Sequence, residues 1–309
     1  MWFPGRSVLL STLTLFLGTV IAAPTTIIER ADISILSAAQ VESYTPYTLF
    51  AKTGYCAPSI TLAWSCIYSA VCKQLSGFKP VASGGDGGVV QYWFVGYYPA
   101  TSSIVVVYQG TDPNKIVPLL TDANFTFATP SQSIFPGLTS GAQVHNGFYN
   151  AYALSQASVL AAVKQASTTY STKKITVVGH SLGAALATLS AASMKLRLGS
   201  GYTFKVVGYG KPRVGNQAWV TWVDNNLTDL TRVNNKDDPV PILPGRFLGY
   251  VGSQGEIHIQ DDNDWASCPG DDNTSAGCTV ADVGNILIAD GADHLGPYNG
   301  ISMGGCEVS

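Results

Sequence analysis

Apolar and polar positions along the chain alternate between the period of a strand and the period of a helix. Apolar, β-branched runs predict strands at residues 89–97, 103–108, 174–179, 204–209 and 230–234. Apolar residues at helical spacing predict helices at residues 147–166, 181–198 and 216–225. Because strands that alternate with helices need crossover connections, the pattern predicts an α/β fold with a mostly parallel central sheet flanked by helices.

Two of these segments should lie deep in the fold. The run TVV at 176–178 shows no polar alternation after its threonine, which is typical of a central strand buried on both faces. The helix that starts at Ser181 is apolar nearly all round, so burial is expected for it too. Residues 34–55 also look helical, with Ser37 as a cap and a break near Pro46. We expect all of these elements to form a single domain.

The N-terminal segment has the composition of a targeting sequence. Arg6 precedes an uncharged, mostly apolar run over 8–21, and two alanines follow that run. This order predicts a signal peptide over residues 1–23, with a short propeptide to residue 30 as an option and the folded domain over 31–309. The run is too short to cross a membrane comfortably, so we expect a secreted protein without stable membrane insertion.

Composition and charge narrow the class of partner. The chain has 309 residues, of which 46% are hydrophobic, and that is enough for a sizeable core. Its net charge is −3, only 12% of its residues are charged, and no basic cluster is present. This balance argues against a nucleic-acid partner.

The cysteines and glycosylation sequons agree with secretion. All six cysteines follow the predicted signal peptide, and an even number suits three disulfides in an oxidising compartment. Cys268–Cys278 is predicted as a local bridge, because the proline and glycines between them permit a tight loop. No histidine lies close in sequence to either cysteine group, so no zinc site is expected. Sequons at Asn124, Asn226 and Asn273 predict exposed glycosylation sites.

The strand at 174–179 turns abruptly into a helix at one serine. Gly179, Ser181 and Gly183 form a G-x-S-x-G motif between the two elements, which is the context of a nucleophile elbow. Such a turn lifts the serine hydroxyl above the sheet, and the helix N-terminus can stabilise an anion there. The same pattern around Ser302 has no strand before it and too few residues after it for a helix. We therefore predict Ser181, rather than Ser302, as a nucleophile.

A serine hydroxyl needs a base, and four histidines could supply one. His294 lies near the C-terminus, where the chain order Ser…Asp…His expects the base. His145, His180 and His258 are interpreted as structural, and the turn at Ser181 is expected to direct the ring of His180 elsewhere.

An acid that orients the base should lie between Ser181 and His294. Two neighbouring aspartates, Asp237 and Asp238, follow the predicted strand 230–234 about midway between them. The spacing alone does not separate the two aspartates.

Six segments of the chain resemble the fungal class 3 lipases, a family of secreted α/β-hydrolases that includes feruloyl esterases. The segments are VVVYQGTD (105–112), VHNGF (144–148), VVGHSLGAALATL (177–189), YGKPRVGN (209–216), DDPVPILP (237–244) and DHLGPY (293–298). The resemblance implies the α/β-hydrolase fold, selects Asp238 as the acid and agrees with His294 as the base. It also implies an oxyanion hole formed by Thr111 and by Leu182, the residue after the nucleophile.

The same resemblance implies a lid directly after Thr111. The segment DPNKIVPLLTDANF at 112–125 contains a small apolar group, and the lid residues are Asp112, Ile116, Val117, Leu119 and Leu120. Pro118 would interrupt a lid helix, and the segment lacks the tryptophan of many members, so an ordinary surface loop remains the alternative.

Resemblance to the feruloyl esterase members extends to the remaining cysteines. The segments CPGDDNTSAGC and YNGISMGGC near the C-terminus carry this likeness. It implies a bridge Cys56–Cys306 between the two ends of the mature chain, and Cys66–Cys72 is then the third pair.

Together these features predict a secreted serine carboxylic-ester hydrolase that acts on acylglycerols. The expected partner is a lipid or other ester substrate, met by a monomer at an oil–water interface, and no cofactor is expected. A feruloyl-type esterase on plant cell-wall esters is the alternative enzyme. A catalytically silent α/β-hydrolase used for binding is disfavoured, because all three members of a triad are present.

Overall fold

The strands and helices of the protein follow the predicted alternation. The structure, a computed structural model, describes residues 1–2, 32–65, 70–112, 125–287 and 289–306. The strands are β1 (Ser34–Ile35), β2 (Lys79–Gly84), β3 (Trp93–Tyr98), β4 (Ser103–Tyr108), β5 (Phe127–Ala128), β6 (Val144–His145), β7 (Lys174–His180), β8 (Thr203–Tyr209), β9 (Asp229–Asn235), β10 (Glu256–Ile259) and β11 (Trp265–Cys268). The helices are α1 (Ala38–Glu42), α2 (Thr45–Thr53), α3 (Pro58–Ala63), α4 (Ala70–Gln74), α5 (Asn146–Tyr170), α6 (Leu182–Arg197), α7 (Gln217–Asn226) and α8 (Thr279–Asp282).

One sheet organises the part of the chain that the structure describes. Its nine strands lie in the order β1-β11-β10-β9-β8-β7-β4-β3-β2. The five strands from β10 to β4 pair in parallel, whereas the pairs at both edges are antiparallel. The predicted α/β fold with a mostly parallel central sheet is therefore confirmed.

Apolar side chains from the central strands cover both faces of the sheet. Val106 and Val177 pack on one face in a cluster that includes residues of α5, α6 and α7. Val107 and Val178 pack on the other face, with residues of α2. Every residue of α6 from Gly183 to Met194 is buried, as its apolar composition predicts. Among the described residues, no helix combines the length and apolarity that a membrane crossing needs.

Two predicted elements have different boundaries in the structure. The strand expected from residue 89 begins at Trp93, because the carboxylate of Asp86 accepts the N–H groups of Gly88 and Val90 and holds a turn. The helical pattern at 34–55 separates into a short strand, α1 and α2. Ser37 caps α1, as predicted.

Two of the three expected disulfides lie within the described residues. These bridges are Cys56–Cys306 and Cys268–Cys278. Cys72 is disulfide-bonded as well, while Cys66, the partner predicted for it, lies outside the described residues.

The exposure expected of the sequons is wrong for Asn273. Its side chain is 2% exposed, its amide nitrogen donates to the carbonyl of Pro269, and its amide oxygen accepts from the N–H of Ser275. The side chain therefore orders the loop between Cys268 and Cys278 and faces inward. Asn226 is half-buried, and Asn124 lies outside the described residues.

A buried ion pair fastens this disulfide loop to the segment that follows β8. The guanidinium of Arg213 lies 2.9 Å from the carboxylate of Asp272, and both side chains are buried. The same guanidinium donates to the carbonyls of Ile242 and Pro244. Burial alone would raise the pKa of Asp272, but the charge and hydrogen bonds of Arg213 outweigh it and hold that pKa below its ordinary value.

Breaking the ion pair of Arg213 with Asp272 should cause a large loss of stability. Replacing Asp272→Asn leaves the guanidinium of Arg213 buried without its countercharge, so we expect the free energy of unfolding to fall by about 3–5 kcal/mol. Denaturant unfolding at neutral pH measures this loss. The matched control is Asp229→Asn, in the exposed pair of Lys205 with Asp229, which should cost less than about 1 kcal/mol.

The same pair sets a pH dependence. The folded state holds the pKa of Asp272 below its ordinary value, so the ionised carboxylate stabilises the fold. This contribution to the free energy of unfolding is fully present above the ordinary carboxyl pKa of about 4, and it is lost as the pH falls through the lower pKa of the folded state. The difference in stability between the wild type and Asp272→Asn should shrink over that acidic range. A difference that stays constant between neutral and acidic pH would contradict the assignment.

Candidate active site

The turn between β7 and α6 holds Ser181 in an unusual backbone conformation. Its φ is 58° and its ψ is −130°, a region that non-glycine residues rarely adopt. A Cβ on Gly179 would lie 2.2 Å from the carbonyl oxygen of Gly183, and one on Gly183 would lie 2.3 Å from that of Tyr108. Gly179 is therefore needed for the close approach of β7 and α6, and Gly183 for that of α6 and the end of β4.

The start of α6 points toward the serine. Leu182 is the first residue of the helix, so its N–H has no acceptor within the helix. The hydroxyl of Ser181 makes no capping hydrogen bond, while the backbone N–H of Ser181 donates to the carbonyl of Tyr209 at 2.9 Å. The serine hydroxyl and the first helical N–H are therefore not used by hydrogen bonds within the helix.

His294 and Asp238 form a buried pair. Nδ1 of His294 lies 3.0 and 2.9 Å from the two carboxylate oxygens of Asp238, and both side chains are at most 1% exposed. Asp237 does not make this contact, and its backbone N–H donates to the carboxylate of Asp293. Because a carboxylate accepts, Nδ1 carries the proton in the neutral ring and Nε2 has a free lone pair.

The imidazole lies beside the serine turn. Gly210 has a φ of +51°, and a Cβ there would lie 2.8 Å from the ring of His294 and 2.9 Å from Asp238. Tyr209, the residue before it, accepts the N–H of Ser181. Nε2 of His294 is buried and has no hydrogen-bond partner among the described residues. The structure therefore brings the three sequence-predicted residues to one edge of the sheet, with an unbonded basic nitrogen in the ring.

Thr111 lies next to the same turn. It follows β4, is 8% exposed, and its hydroxyl has no hydrogen-bond partner in the described part of the chain. A Cβ on the preceding Gly110 would lie 2.6 Å from the carbonyl oxygen of His180. Thr111 therefore follows a residue that is packed against the backbone just before Ser181, and Leu182 directly follows Ser181.

Comparison with known proteins identifies the family. A family model described as Lipase (class 3) matches residues 105–248. The secreted mono- and diacylglycerol lipase MDL3 of Malassezia globosa is 35% identical over 227 residues, which cover 72% of this chain and 71% of that protein. This chain belongs to the class 3 lipase family. A second Malassezia globosa relative, the secreted mono- and diacylglycerol lipase MDL2, is 34% identical over 232 residues, which cover 72% of this chain and 74% of that protein.

Solved structures of lipases share the fold of this class 3 lipase family member. The Rhizomucor miehei lipase propeptide complex matches with a TM-score of 0.76 and 26% identity, over 89% of this chain and 85% of that one. A lipase from Rhizopus microsporus var. chinensis matches with a TM-score of 0.76 and 26% identity, over 92% of this chain and 95% of that one. The α/β-hydrolase fold implied by the sequence is therefore confirmed.

Two of the other histidines have structural roles. His145 caps α5 through Nδ1, which accepts the N–H of Phe148, and burial lowers the pKa of His145 to about 4. His258 lies within hydrogen-bond distance of the carbonyls of Gly277 and Lys236.

His180 lies where the sequence did not lead us to expect it. The centre of its ring is 4.5 Å from that of His294, and its Nε2 is 2.7 Å from the carbonyl oxygen of His294. This contact was not predicted from the sequence, although His180 is a polar residue at the buried end of β7, and a buried polar residue needs a partner.

Several other sequence predictions can be placed. Ser302 lies in neither a helix nor a strand, so its G-x-S-x-G pattern is not an elbow. The lid residues Ile116, Val117, Leu119 and Leu120 lie outside the described residues, and Asp112 is exposed. Among the described residues, the one cluster with metal-ligand atoms combines Glu256 with Cys268 and Cys278, whose sulfurs form a disulfide and are not thiolates.

The elbow predicts a strong constraint on its second glycine. In Gly183→Ala the added methyl meets backbone atoms of Tyr108 and Gln109 at the end of β4. Backbone atoms cannot rotate away, so we expect a destabilisation at the upper end of about 1–3 kcal/mol. The midpoint temperature of thermal unfolding and the turnover rate should both fall. Gly88→Ala is the control, because its nearest neighbour would be 3.6 Å away, and it should change stability by no more than about 0.5 kcal/mol.

Proposed function

We propose that this protein is a secreted serine hydrolase that cleaves the carboxylic esters of acylglycerols. The observation that carries the proposal is the buried pair of His294 with Asp238 beside the strained turn at Ser181, with Nε2 of the imidazole unbonded. Membership of the class 3 lipase family supports the substrate class, and relatives in this family are named as secreted mono- and diacylglycerol lipases.

The acylation step uses the three side chains in succession. Oγ of Ser181 attacks the ester carbonyl while Nε2 of His294 takes the hydroxyl proton, and Asp238 stabilises the imidazolium through Nδ1–H. The carbonyl oxygen becomes an oxyanion that accepts hydrogen bonds from the N–H of Leu182 and from Thr111. When the intermediate collapses, the ester C–O bond breaks and His294 returns the proton to the leaving alcohol.

Deacylation repeats the same chemistry with water. His294 removes a proton from a water molecule, whose oxygen attacks the acyl-serine carbonyl. The second tetrahedral intermediate then collapses, the fatty acid leaves, and the proton returns to Oγ of Ser181. No cofactor takes part in either step.

We also propose the cellular context and the mode of substrate access that the sequence predicts. A signal peptide over residues 1–23 would deliver the chain to an oxidising compartment, in agreement with its disulfides and with relatives named as secreted. Residues 112–125 would act as a lid that opens at an oil–water interface, over a monomeric enzyme.

Removal of the nucleophile tests the mechanism. We expect Ser181→Ala to fold normally and to lower kcat by several orders of magnitude, and Asp238→Asn to lower it by about 10⁴-fold because the wrong tautomer of His294 is favoured. The rates are measured on emulsified diacylglycerol and, in the same assay, on methyl ferulate. Faster turnover of methyl ferulate would favour a feruloyl-type esterase, and an active Ser181→Ala would contradict the triad.

The threonine tests the oxyanion hole. Thr111→Val keeps the shape of the side chain and its backbone N–H but removes the hydroxyl, so we expect kcat to fall by roughly 10²-fold or more with little change in KM. Steady-state kinetics on a soluble short-chain ester measures both constants. A variant with unchanged kcat would show that the hydroxyl does not contact the transition state.

A further inference from the structure

We propose that His180 and Tyr55 are positioning residues that hold the backbone of His294 in register with Ser181. The inference rests on the proposed function, because it concerns the base of that triad. It assigns a role to two side chains that the mechanism above does not use.

The contacts of His180 have a fixed direction. Its Nε2 lies 2.7 Å from the carbonyl oxygen of His294, and since a carbonyl only accepts, Nε2 carries the proton. Nδ1 of the neutral ring is then an acceptor, and the hydroxyl of Tyr55 donates to it at 2.5 Å. Hydrogen bonds therefore run from Tyr55 through His180 to the backbone of the catalytic base.

Burial keeps the side chains of His180 and Tyr55 in their neutral states. His180 is 0% exposed, and burial, assisted by the neighbouring His294, lowers its pKa well below the ordinary value. Burial also raises the pKa of Tyr55, so its hydroxyl keeps its proton. A neutral ring at 4.5 Å does not repel the imidazolium that His294 becomes during turnover, whereas a charged ring would.

The segment that carries His294 needs such support. His294 lies in a single three-residue helical turn, Asp293–Leu295, and not in a strand or a long helix. His180 directly precedes Ser181, so its bond to the carbonyl of His294 couples the backbone of the nucleophile to the backbone of the base. Tyr298 donates a second hydrogen bond to the same carbonyl at 3.1 Å.

A disulfide anchors the other end of this chain of hydrogen bonds. Tyr55 directly precedes Cys56, which is bridged to Cys306 in the segment that follows His294. The segment of Tyr55 is thus tied to the C-terminal segment by the disulfide and to the turn of His294 through His180. Both ring nitrogens of His180 are therefore bonded, one to the segment of Tyr55 and the other to the turn of His294.

Three variants test the inference. His180→Phe keeps a ring of similar size but loses the donor, and because a small displacement of a reacting group can cost about 10²-fold, we expect kcat to fall roughly 10- to 100-fold. His180→Gln carries an amide N–H that can reach the same carbonyl, so it should recover most of the lost kcat. Tyr55→Phe should lower kcat about fivefold, which corresponds to one neutral hydrogen bond.

The readouts separate positioning from folding. Each variant is titrated with a fluorescent alkyl phosphonate, which reports the labelled fraction at the end point and the rate of labelling. Positioning predicts a full end point, a slower rate and a lower kcat, with KM unchanged. Tyr108→Phe is the control for Tyr55→Phe, because it removes another fully buried hydroxyl, one that bonds to Ser190; it should leave kcat unchanged.

Other outcomes would overturn the inference. Wild-type kcat in His180→Phe would do so, as would a loss that appears only as a smaller labelled fraction and that His180→Gln does not recover. If His180→Phe does not fold, Tyr55→Phe decides, and a labelling rate equal to that of Tyr108→Phe would count against the proposal. A wild-type protein that neither labels nor hydrolyses esters would instead overturn the proposed function, and the positioning role with it.

Discussion

The close approach of β7 and α6 is the constraint on which the rest of the site depends. The absence of a side chain at Gly179 allows the helix to turn back over β7, its absence at Gly183 allows the helix to approach the end of β4, and the turn leaves Ser181 at a φ of 58°. A non-glycine residue in such a conformation costs about 1–3 kcal/mol, and the surrounding structure must offset it. It does so because the two elements are buried next to the turn, β7 from Ile175 to His180 and α6 from Gly183 to Met194.

Parallel pairing brings the remaining groups to the same place. The carboxyl ends of β4, β7 and β9 lie at one edge of the sheet, so the residues that follow them, Thr111, Ser181 and Asp238, come together although they are far apart in sequence. His294 is the exception, because no strand of the sheet delivers it. Hydrogen bonds hold it instead: its ring Nδ1–H donates to Asp238, and its backbone carbonyl accepts from His180 and Tyr298.

The buried polar side chains around this site are neutral next to His294 and charged farther away. Next to His294, His180 and Tyr55 are buried and neutral, so they add no charge close to its imidazole. In the segments that follow β8 and β11, Arg213 and Asp272 are buried as a charged pair, and the guanidinium binds backbone carbonyls of the segment after Asp238. Under the proposed function, neutral hydrogen bonds orient His294 as the base, and the ion pair anchors the segment after Asp238.

The sequence by itself determined the features that depend on neighbours along the chain. Strand and helix periods, the elbow around Ser181 and the cap at Ser37 follow from local patterns, because each depends on residues within a few positions. The spacing left Asp237 and Asp238 open, the family resemblance selected Asp238, and the structure shows the contact of Asp238 with His294. Only the tertiary structure placed the ring of His180 beside that of His294 and buried Asn273. These outcomes depend on partners that meet only when the sheet assembles and on the loop that Cys268–Cys278 closes, and no local pattern encodes which side chain will face inward there.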